Sequence, residues 1–444
     1  MKGGVASFRL AESGFARAVV APPAGGTRLL ILADSIFTLE TSPRTAGGIV
    51  KHWAPSNWQG WGVQGLNNTN AEAFLVFKSY GGSDMTFNQR SPNTGVGGGS
   101  LTPTTYFAGN CPCNVLELVC GATPPADDTE MFLVQPIAQS SAPWRNGAWY
   151  QGQAVRARLI YIVKNDDNWA IKVNGTRNGS AVIETATDTA DSGDGSFEVR
   201  TLDVSCGTPA VGEIPRLSVR ISADALNANR TVGILGVRFY VPAVRHGLEV
   251  HILASAGWGW LDHSSTSNCA DAIMQAYLDA IGRPNAIKAV LGANLKGSAG
   301  NQETGGGNLE AGDYTNFKAN ATATVDRYRT LLGNLSAPLA SCPVCLVSNY
   351  KTTPRSNTEF IGMCAAYNEL AGEMTNVSFL NGFTALTGHV LKSDGTHVNA
   401  PGAESWARGI WDRLVAAQRR TVTGFSGAGA GGNGAVGFMP GGGS

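Results

Sequence analysis

The sequence has few charged residues and no net charge. Asp, Glu, Lys and Arg make up 15% of its 444 residues, and the 33 basic residues balance the 33 acidic ones. A typical soluble protein has a charged share of about 25%. A chain without excess positive charge lacks the basic surface that binds nucleic acid or an anionic membrane. We therefore expect no nucleic-acid partner.

The sequence also lacks a long apolar run. No stretch approaches the roughly 20 apolar residues that a membrane-spanning helix needs. The first residues, Met1-Lys2-Gly3-Gly4, are not followed by the apolar segment of a signal peptide. We therefore expect a soluble chain without a signal peptide or membrane insertion, and its compartment stays open. Low charge and 57 glycines favour a rigid, β-rich protein of an extracellular or virion type.

A paired metal-binding motif is missing as well. Cys342-Pro343-Val344-Cys345 is a single CxxC motif, whereas a structural zinc site needs a second pair, and Cys111-Pro112-Cys113 has the wrong spacing. The eight cysteines are expected to form local disulfides or to stay as thiols. No metal and no cofactor are expected.

Two kinds of hydrophobic pattern divide the chain. Between residues 60 and 245, short apolar runs with polar alternation recur between turn residues, which is typical of antiparallel strands in a β-sandwich. Elsewhere strand-like runs alternate with helical spacing, which favours a parallel sheet with βαβ crossovers. The predicted strands of this second kind are 28–33, 248–254, 286–291, 345–348 and 377–380, and the predicted helices are 43–53, 269–281, 316–332, 359–374 and 402–419.

These patterns predict an α/β fold interrupted by an inserted domain. We assign residues 1–24 to an N-terminal arm, 25–59 and 246–420 to the α/β domain, and 60–245 to an inserted antiparallel β-sandwich that binds carbohydrate or another partner. The Gly-rich residues 421–444 form either a flexible tail or an arm that orders against a neighbouring subunit. A homo-oligomer or virion neighbours are therefore among the expected partners.

The first predicted strand ends in Asp34-Ser35, and Asp394-Gly395-Thr396-His397 precedes the last predicted helix. Ligands of open α/β sheets bind at the carboxyl ends of the strands, where these groups would lie. A serine nucleophile needs a base to take its proton and a carboxylate to orient that base. Ser35, His397 and Asp394 supply all three. Backbone N–H groups at Ser35 and Gly257, with the Asn294 amide, would stabilise the oxyanion.

These four motifs resemble those of the SGNH/GDSL hydrolase superfamily. The matching segments are Ala33-Asp34-Ser35, Gly257, Gly292-Ala293-Asn294-Leu295 and Asp394-Gly395-Thr396-His397, in the family's order. The resemblance implies a flavodoxin-like, three-layer parallel sheet with strand order 2-1-3-4-5 and a serine esterase activity without cofactor. It covers residues 25–56 and 247–420. The chain departs from the family at Ala33, where Gly is usual, and at Leu295, where Asp is usual.

Alternatives for single motifs stay open. Asp34-Ser35 could cap a helix, and Asp394-Gly395 is a common turn pair. Gly259 is a second candidate for the oxyanion donor, and Asp262-His263 is a second candidate for the acid–base pair. The tryptophans near the predicted site either stack on a sugar ring or pack in the core; they are Trp53, Trp58, Trp61, Trp258 and Trp260.

The predicted substrate is an acetylated carbohydrate or a small ester. The family acts on acyl esters, and Trp258 and Trp260 are the candidates for substrate binding. We predict an esterase that removes O-acetyl groups through an acyl-enzyme on Ser35. The alternative is a virion or cell-surface protein, such as a phage tail or capsid decoration protein, that uses an SGNH-like domain to bind glycans with or without activity.

Overall fold

The computed structural model describes the central part of the chain in separate ranges. The predicted arm, the predicted helices 43–53 and 402–419, and the Gly-rich residues 421–444 lie outside them. The ranges are 27–34, 58–64, 85–90, 107–110, 112, 115–120, 129–134, 152–165, 170–177, 181–189, 193–221, 231–242, 248–254, 258–290, 303–304, 307–333, 342–350 and 356–382.

These ranges contain fifteen strands, four α-helices and a short 3₁₀ turn (Leu309–Ala311). The strands are β1 (Thr27–Ala33), β2 (Trp58–Gln64), β3 (Met85–Arg90), β4 (Val115–Cys120), β5 (Thr129–Val134), β6 (Val155–Lys164), β7 (Ala170–Arg177), β8 (Glu184–Thr189), β9 (Phe197–Gly207), β10 (Pro215–Ile221), β11 (Thr231–Tyr240), β12 (Leu248–Ala254), β13 (Ala286–Val290), β14 (Val344–Val347) and β15 (Val377–Leu380). The helices are α1 (Trp260–Ser264), α2 (Asp271–Ala280), α3 (Thr315–Gly333) and α4 (Asn357–Glu373).

Five parallel strands form the part of the sheet that the α/β pattern predicted. Their order is β12-β1-β13-β14-β15, which is 2-1-3-4-5 when they are counted along the chain. β1 lies between β12 and β13, and Ala33 is opposite Ala254 on one side and Val290 on the other. The central position explains the apolar sequence of β1, because both faces and both edges of this strand are covered. Leu30, Ile31 and Ala33 are fully buried.

The helices that alternate with these strands begin and end within two residues of the predicted bounds. α4 begins after Ser356, whose hydroxyl accepts a hydrogen bond from Glu359 N at 3.0 Å, as an N-cap should. Tyr277 of α2, Tyr328 of α3 and Tyr367 of α4 are fully buried. These large side chains fill the core between the helices and the sheet. No helix within the described ranges is long and apolar enough to cross a membrane.

The strands from β2 to β11 are antiparallel to one another where they pair, as predicted, but many of them continue the same sheet. β2 pairs in parallel with β12, and β11 then pairs antiparallel with β2, β4 and β6. One eleven-stranded sheet results. β2 also crosses the predicted domain boundary between residues 59 and 60. The observed architecture is therefore mixed α/β with a parallel and an antiparallel region, while a separate sandwich, a three-layer arrangement and the domain bounds stay predictions.

A single hydrophobic core joins the two regions of this sheet. Leu30 of β1 belongs to the same buried cluster as Ile160 of β6 and Leu235 of β11. Phe107 joins the cluster as well, and its ring centroid lies 5.7 Å from that of Phe197. Because buried apolar surface is shared, unfolding of one region would expose side chains of the other.

A second, four-stranded sheet has the order β5-β10-β7-β8. It lies against β9, where Ser205 N donates a hydrogen bond to Glu184 at 2.5 Å. Gly175 of β7 makes this approach possible, because a Cβ there would lie 2.0 Å from the Ser205 carbonyl oxygen. The absence of a side chain at residue 175 therefore lets two backbones come together.

Candidate active site

The predicted catalytic groups follow neighbouring strands of the parallel sheet, but the described ranges stop short of them. Ser35, Gly257, Asn294, Asp394 and His397 all lie outside. The described chain ends at Asp34 after β1, resumes at Trp258 after β12, and ends at Val290 in β13. These three strands are adjacent and leave the sheet at the same edge. The described ends of the strands that precede the predicted nucleophile and oxyanion donors therefore lie at one edge of the sheet, where ligands of such sheets bind.

Asp34 is the last described residue before the predicted nucleophile, and it is fully buried. Burial, first of all, raises the pKa of Tyr367 well above its usual value, and the negative charges of Asp34 and Glu303 add to that rise. Two carboxylates thus act on the same buried hydroxyl. Asp34 therefore lies in the interior of the protein.

Trp258 and Trp260 follow β12 and were the candidates for stacking on a sugar ring. The structure corrects this assignment in favour of core packing, because Trp258 is 1% exposed and Trp260 is fully buried. Trp260 Nε1 donates a hydrogen bond to the Tyr367 hydroxyl at 3.0 Å. The Trp258 ring lies edge-on to His263, with centroids 4.7 Å apart. A sugar has no access to either ring face in this arrangement. Trp53 lies outside the described ranges, and the side chains of Trp58 and Trp61 are not described.

The short helix α1 is held by hydrogen bonds from three directions. Asp262 caps its start by accepting from Gly259 N at 2.8 Å, and Leu261 N donates to Glu303 Oε2 at 3.1 Å. From α3, Thr324 Oγ1 donates to the Trp260 carbonyl at 2.8 Å. A five-residue helix has too few internal hydrogen bonds to be stable alone. Its position is therefore set by these side chains.

Arg327 of α3 fixes the chain that leaves α1. Its guanidinium donates to the His263 carbonyl at 2.9 Å and to the Ser265 carbonyl at 3.1 Å. A third bond goes to the Cys269 carbonyl at 2.5 Å. Carbonyl groups past the end of a helix lack internal donors, and an arginine can satisfy several at once. The loop after β12 is thus rigid from Trp258 to Cys269.

Glu303 lies on the segment that follows β13 and the predicted Asn294. It is 2% exposed, and both Glu303 and Thr304 have left-handed backbone, with φ of 61° and 66°. For residues other than glycine this conformation costs about 1 kcal/mol or more each and is concentrated at functional sites. The bond from Leu261 N to its carboxylate compensates part of that cost. The sequence offered no signal for this residue.

His263 occupies the centre of the described site. Its ring is fully buried, with Nε2 3.4 Å from the Ala33 carbonyl oxygen and Nδ1 3.3 Å from the Tyr328 hydroxyl. Burial lowers its pKa from 6.5 to about 4. Asp262 does not form the alternative acid–base pair with it in this arrangement, because that carboxylate accepts from Gly259 N instead.

A second polar cluster lies where β14 and β15 end. Ser348 Oγ accepts from Gly382 N at 2.9 Å and donates to Asn381 Oδ1 at 3.3 Å. Asn349 is fully buried, and within the described part of the chain neither its Oδ1 nor its Nδ2 has a hydrogen-bond partner. Such an amide costs about 1–3 kcal/mol per unsatisfied group. The same edge of the sheet that carries the predicted site therefore also carries an unsatisfied polar side chain.

The cysteines whose side chains the structure describes are buried thiols that form no disulfide: Cys206, Cys269, Cys342, Cys345 and Cys364. Burial raises the pKa of the Cys269 and Cys342 thiols to about 12. Among the described ranges, no group of three His, Cys, Asp or Glu side chains is placed to hold a metal ion.

Comparison with solved structures identifies the fold. A peptidoglycan O-acetylesterase superposes with a TM-score of 0.52 at 12% sequence identity, over 91% of this chain and 94% of that one. This chain has the fold of that esterase. The match supports the α/β fold that the sequence predicted.

Two further structures match at lower similarity. A family two carbohydrate esterase from Cellvibrio japonicus has a TM-score of 0.29 at 11% identity, over 76% of this chain and 99% of that one. An acetyl xylan esterase from the rumen bacterium Butyrivibrio proteoclasticus has a TM-score of 0.27 at 12% identity, over 79% of this chain and all of that one. No model of a protein family and no curated protein sequence matches this chain.

Proposed function

We propose that this protein is a serine esterase of the SGNH type that removes O-acetyl groups from a carbohydrate. The observation that carries the proposal is the order of the parallel strands, because β12, β1 and β13 are adjacent and precede Gly257, Ser35 and Asn294. Similarity to the fold of the peptidoglycan O-acetylesterase supports it. An acetylated glycan such as O-acetylated peptidoglycan is the substrate class to test first.

The proposed reaction has two half-reactions. Ser35 Oγ attacks the acetyl carbonyl carbon while His397 Nε2 takes the hydroxyl proton, and Asp394 orients the imidazole. The Ser35 and Gly257 N–H groups and the Asn294 amide stabilise the oxyanion. The C–O bond to the sugar then breaks, and His397 returns the proton to the sugar oxygen. Water next attacks the acetyl-enzyme, with His397 as base, and releases acetate and Ser35.

Hydrolysis of p-nitrophenyl acetate by the full chain and by Ser35→Ala tests the proposal. Removal of a triad serine lowers kcat by about 10⁶-fold in a well-studied protease, so we expect Ser35→Ala to fall to the background rate. Ser196→Ala, at an exposed position just before β9 in the antiparallel region, is the matched control and should keep full activity. Equal rates for the chain and Ser35→Ala would refute a catalytic role for Ser35.

Acetate release from O-acetylated peptidoglycan and from acetylated xylan then tests the substrate class. Faster release from one polymer identifies the sugar chemistry. The alternative role, a virion or cell-surface protein that binds glycans, remains a prediction from the sequence. It would gain support if the chain bound these polymers without releasing acetate.

A further inference from the structure

His263 contacts the carbonyl group of Ala33, which comes just before Asp34-Ser35. Ala33 is the last residue of β1, and its carbonyl oxygen lies 3.4 Å from His263 Nε2. His263 belongs to α1, which follows the loop with Gly257 and Gly259. The same ring touches Trp258 edge-on at 4.7 Å. One side chain therefore contacts both segments that carry predicted reacting or oxyanion-binding groups.

The contacts determine the tautomer of this ring. A carbonyl oxygen can only accept, so Nε2 carries a proton and donates to Ala33. The ring is neutral near pH 7, because burial lowers its pKa to about 4. Nδ1 therefore has a lone pair and accepts from the Tyr328 hydroxyl at 3.3 Å. Both nitrogens are engaged, so neither is available to take a proton from a serine.

The position of His263 is itself fixed from α3. Arg327 donates to its backbone carbonyl at 2.9 Å, and Tyr328 donates to its ring. Thr324 donates to the carbonyl of the neighbouring Trp260 at 2.8 Å. Because its backbone and its ring are both held, His263 can fix the position of the group that accepts its Nε2–H hydrogen bond. That group is the Ala33 carbonyl at the end of β1.

We propose that His263 is a positioning residue for the nucleophile, which holds the carboxyl end of β1 at a fixed distance from the loop after β12. The role rests on the proposed esterase function, because it sets Ser35 Oγ relative to the oxyanion donors. Misplacement of a reacting atom by about 1 Å costs on the order of 10²-fold in rate. His263 itself does not touch the reacting atoms.

Two substitutions separate positioning from packing. His263→Met fills similar space but cannot donate to Ala33, whereas His263→Gln retains an N–H donor at comparable reach. Ser378→Ala is the matched control, since it removes a buried hydrogen bond to the Val344 carbonyl at 3.3 Å, between β15 and β14, without touching α1 or β1. Thermal unfolding first gives the unfolding temperature of each variant and of the parent chain. Activity is then measured only below the unfolding temperature of the variant concerned.

The first readout is catalysis. For His263→Met we expect kcat on p-nitrophenyl acetate to fall at least tenfold, with KM within about twofold and with labelling of Ser35 by a fluorophosphonate slowed in parallel. His263→Gln should recover kcat to within about threefold of the parent chain, and Ser378→Ala should keep it. A kcat for His263→Met equal to that of Ser378→Ala would overturn the proposal.

The second readout does not depend on hydrolysis. Hydrogen exchange of the peptide covering residues 27–36 should be faster in His263→Met than in the parent chain, and unchanged in His263→Gln and Ser378→Ala. Unchanged exchange in His263→Met would show that His263 does not hold β1. If the parent chain neither hydrolyses the ester nor reacts with the fluorophosphonate, the proposed function fails, while the exchange result still decides the contact between His263 and β1.

Discussion

The parallel and antiparallel regions of the large sheet use polar side chains differently. In the parallel region, polar groups at the carboxyl edge are buried in the interior, as His263, Glu303 and Asn349 are. In the antiparallel region, charges pair between strands at half-buried positions, as Arg158 of β6 does with Asp203 of β9. Buried polar groups are costly and are kept where geometry matters. The contrast agrees with the proposed placement of the active site at the parallel edge.

Substitution of a core tryptophan tests the parallel region with the largest effect. Trp260→Ala should lower the free energy of unfolding by about 4 kcal/mol, because a fully buried ring leaves a cavity and the Tyr367 hydroxyl loses its donor. Urea denaturation measures the change. Val211→Ala, at a residue 89% exposed in the antiparallel region, should change stability by less than about 0.5 kcal/mol. Similar losses of stability for Trp260→Ala and Val211→Ala would contradict this expected difference between the two positions.

Acid should destabilise the chain through His263. The folded pKa of about 4 lies below the unfolded value of 6.5, so the unfolded chain binds a proton that the folded chain excludes between these pH values. The contribution of neutral His263 to the free energy of unfolding is fully present above pH 6.5. It is lost as the pH drops to 4, which lowers the free energy of unfolding by about 3 kcal/mol. The main cause is burial of the ring; Arg327 acts in the same direction, and Asp262 and the Ala33 carbonyl oppose it.

Urea midpoints between pH 7 and 4 measure this effect. His263→Gln cannot be protonated at residue 263. Its loss of stability between pH 7 and 4 should therefore be about 3 kcal/mol smaller than that of the parent chain. Identical pH profiles for the two proteins would show that His263 does not exclude the proton.

Arg158 makes a polar contact between the two regions. Its guanidinium donates to Asp203 at 2.8 Å and to the Ala280 carbonyl at the end of α2 at 2.9 Å. Arg158→Met should cost about 1–2 kcal/mol, because a half-buried charged donor is lost while Asp203 keeps its bond from Tyr240 at 2.7 Å. Thermal unfolding measures the loss. The exposed pair Arg283–Asp279 is the control, and Arg283→Met should cost only about 0.4 kcal/mol.

Asn349→Leu should have the smallest effect on stability and the opposite sign. The amide of this fully buried residue has no partner in the described ranges, so an apolar side chain of similar size should stabilise the fold by about 1 kcal/mol. Chemical denaturation measures this, and the esterase assay shows whether activity falls as stability rises. A destabilised variant would mean that the amide contributes a stabilising contact.

Much of the parallel region could be predicted from the sequence. Apolar runs marked β1, β12 and β15 with little error, and helical spacing placed α2, α3 and α4, because burial on one face leaves a periodic pattern. The strand β2 was missed, since Trp58–Gln64 contains two glycines, which strands disfavour. Its pairing with β12 and β11 depends on contacts far apart in the chain, which no local pattern reports.

The site could be predicted only in outline. Short motifs identified the segments after β1, β12 and β13, and strand order confirms that these strands are adjacent. Trp258 and Trp260 were candidates for sugar stacking because an aromatic residue in a loop and one in the core look alike in sequence. Glu303 could not be found, because its role depends on a left-handed backbone and on a bond to Leu261. The positions of Ser35, Asp394 and His397 stay predictions.

The position of β1 between β12 and β13 also determines how the chain folds during synthesis. Thr27 pairs with Leu248, so the central strand of the parallel sheet waits for partners made more than two hundred residues later. At about 5–20 residues per second, a ribosome takes roughly 10–45 s to make that stretch. Throughout this interval an apolar strand has neither of its neighbours. Contacts so distant in sequence slow folding, and an unpaired apolar strand such as β1 is prone to aggregation in the nascent chain.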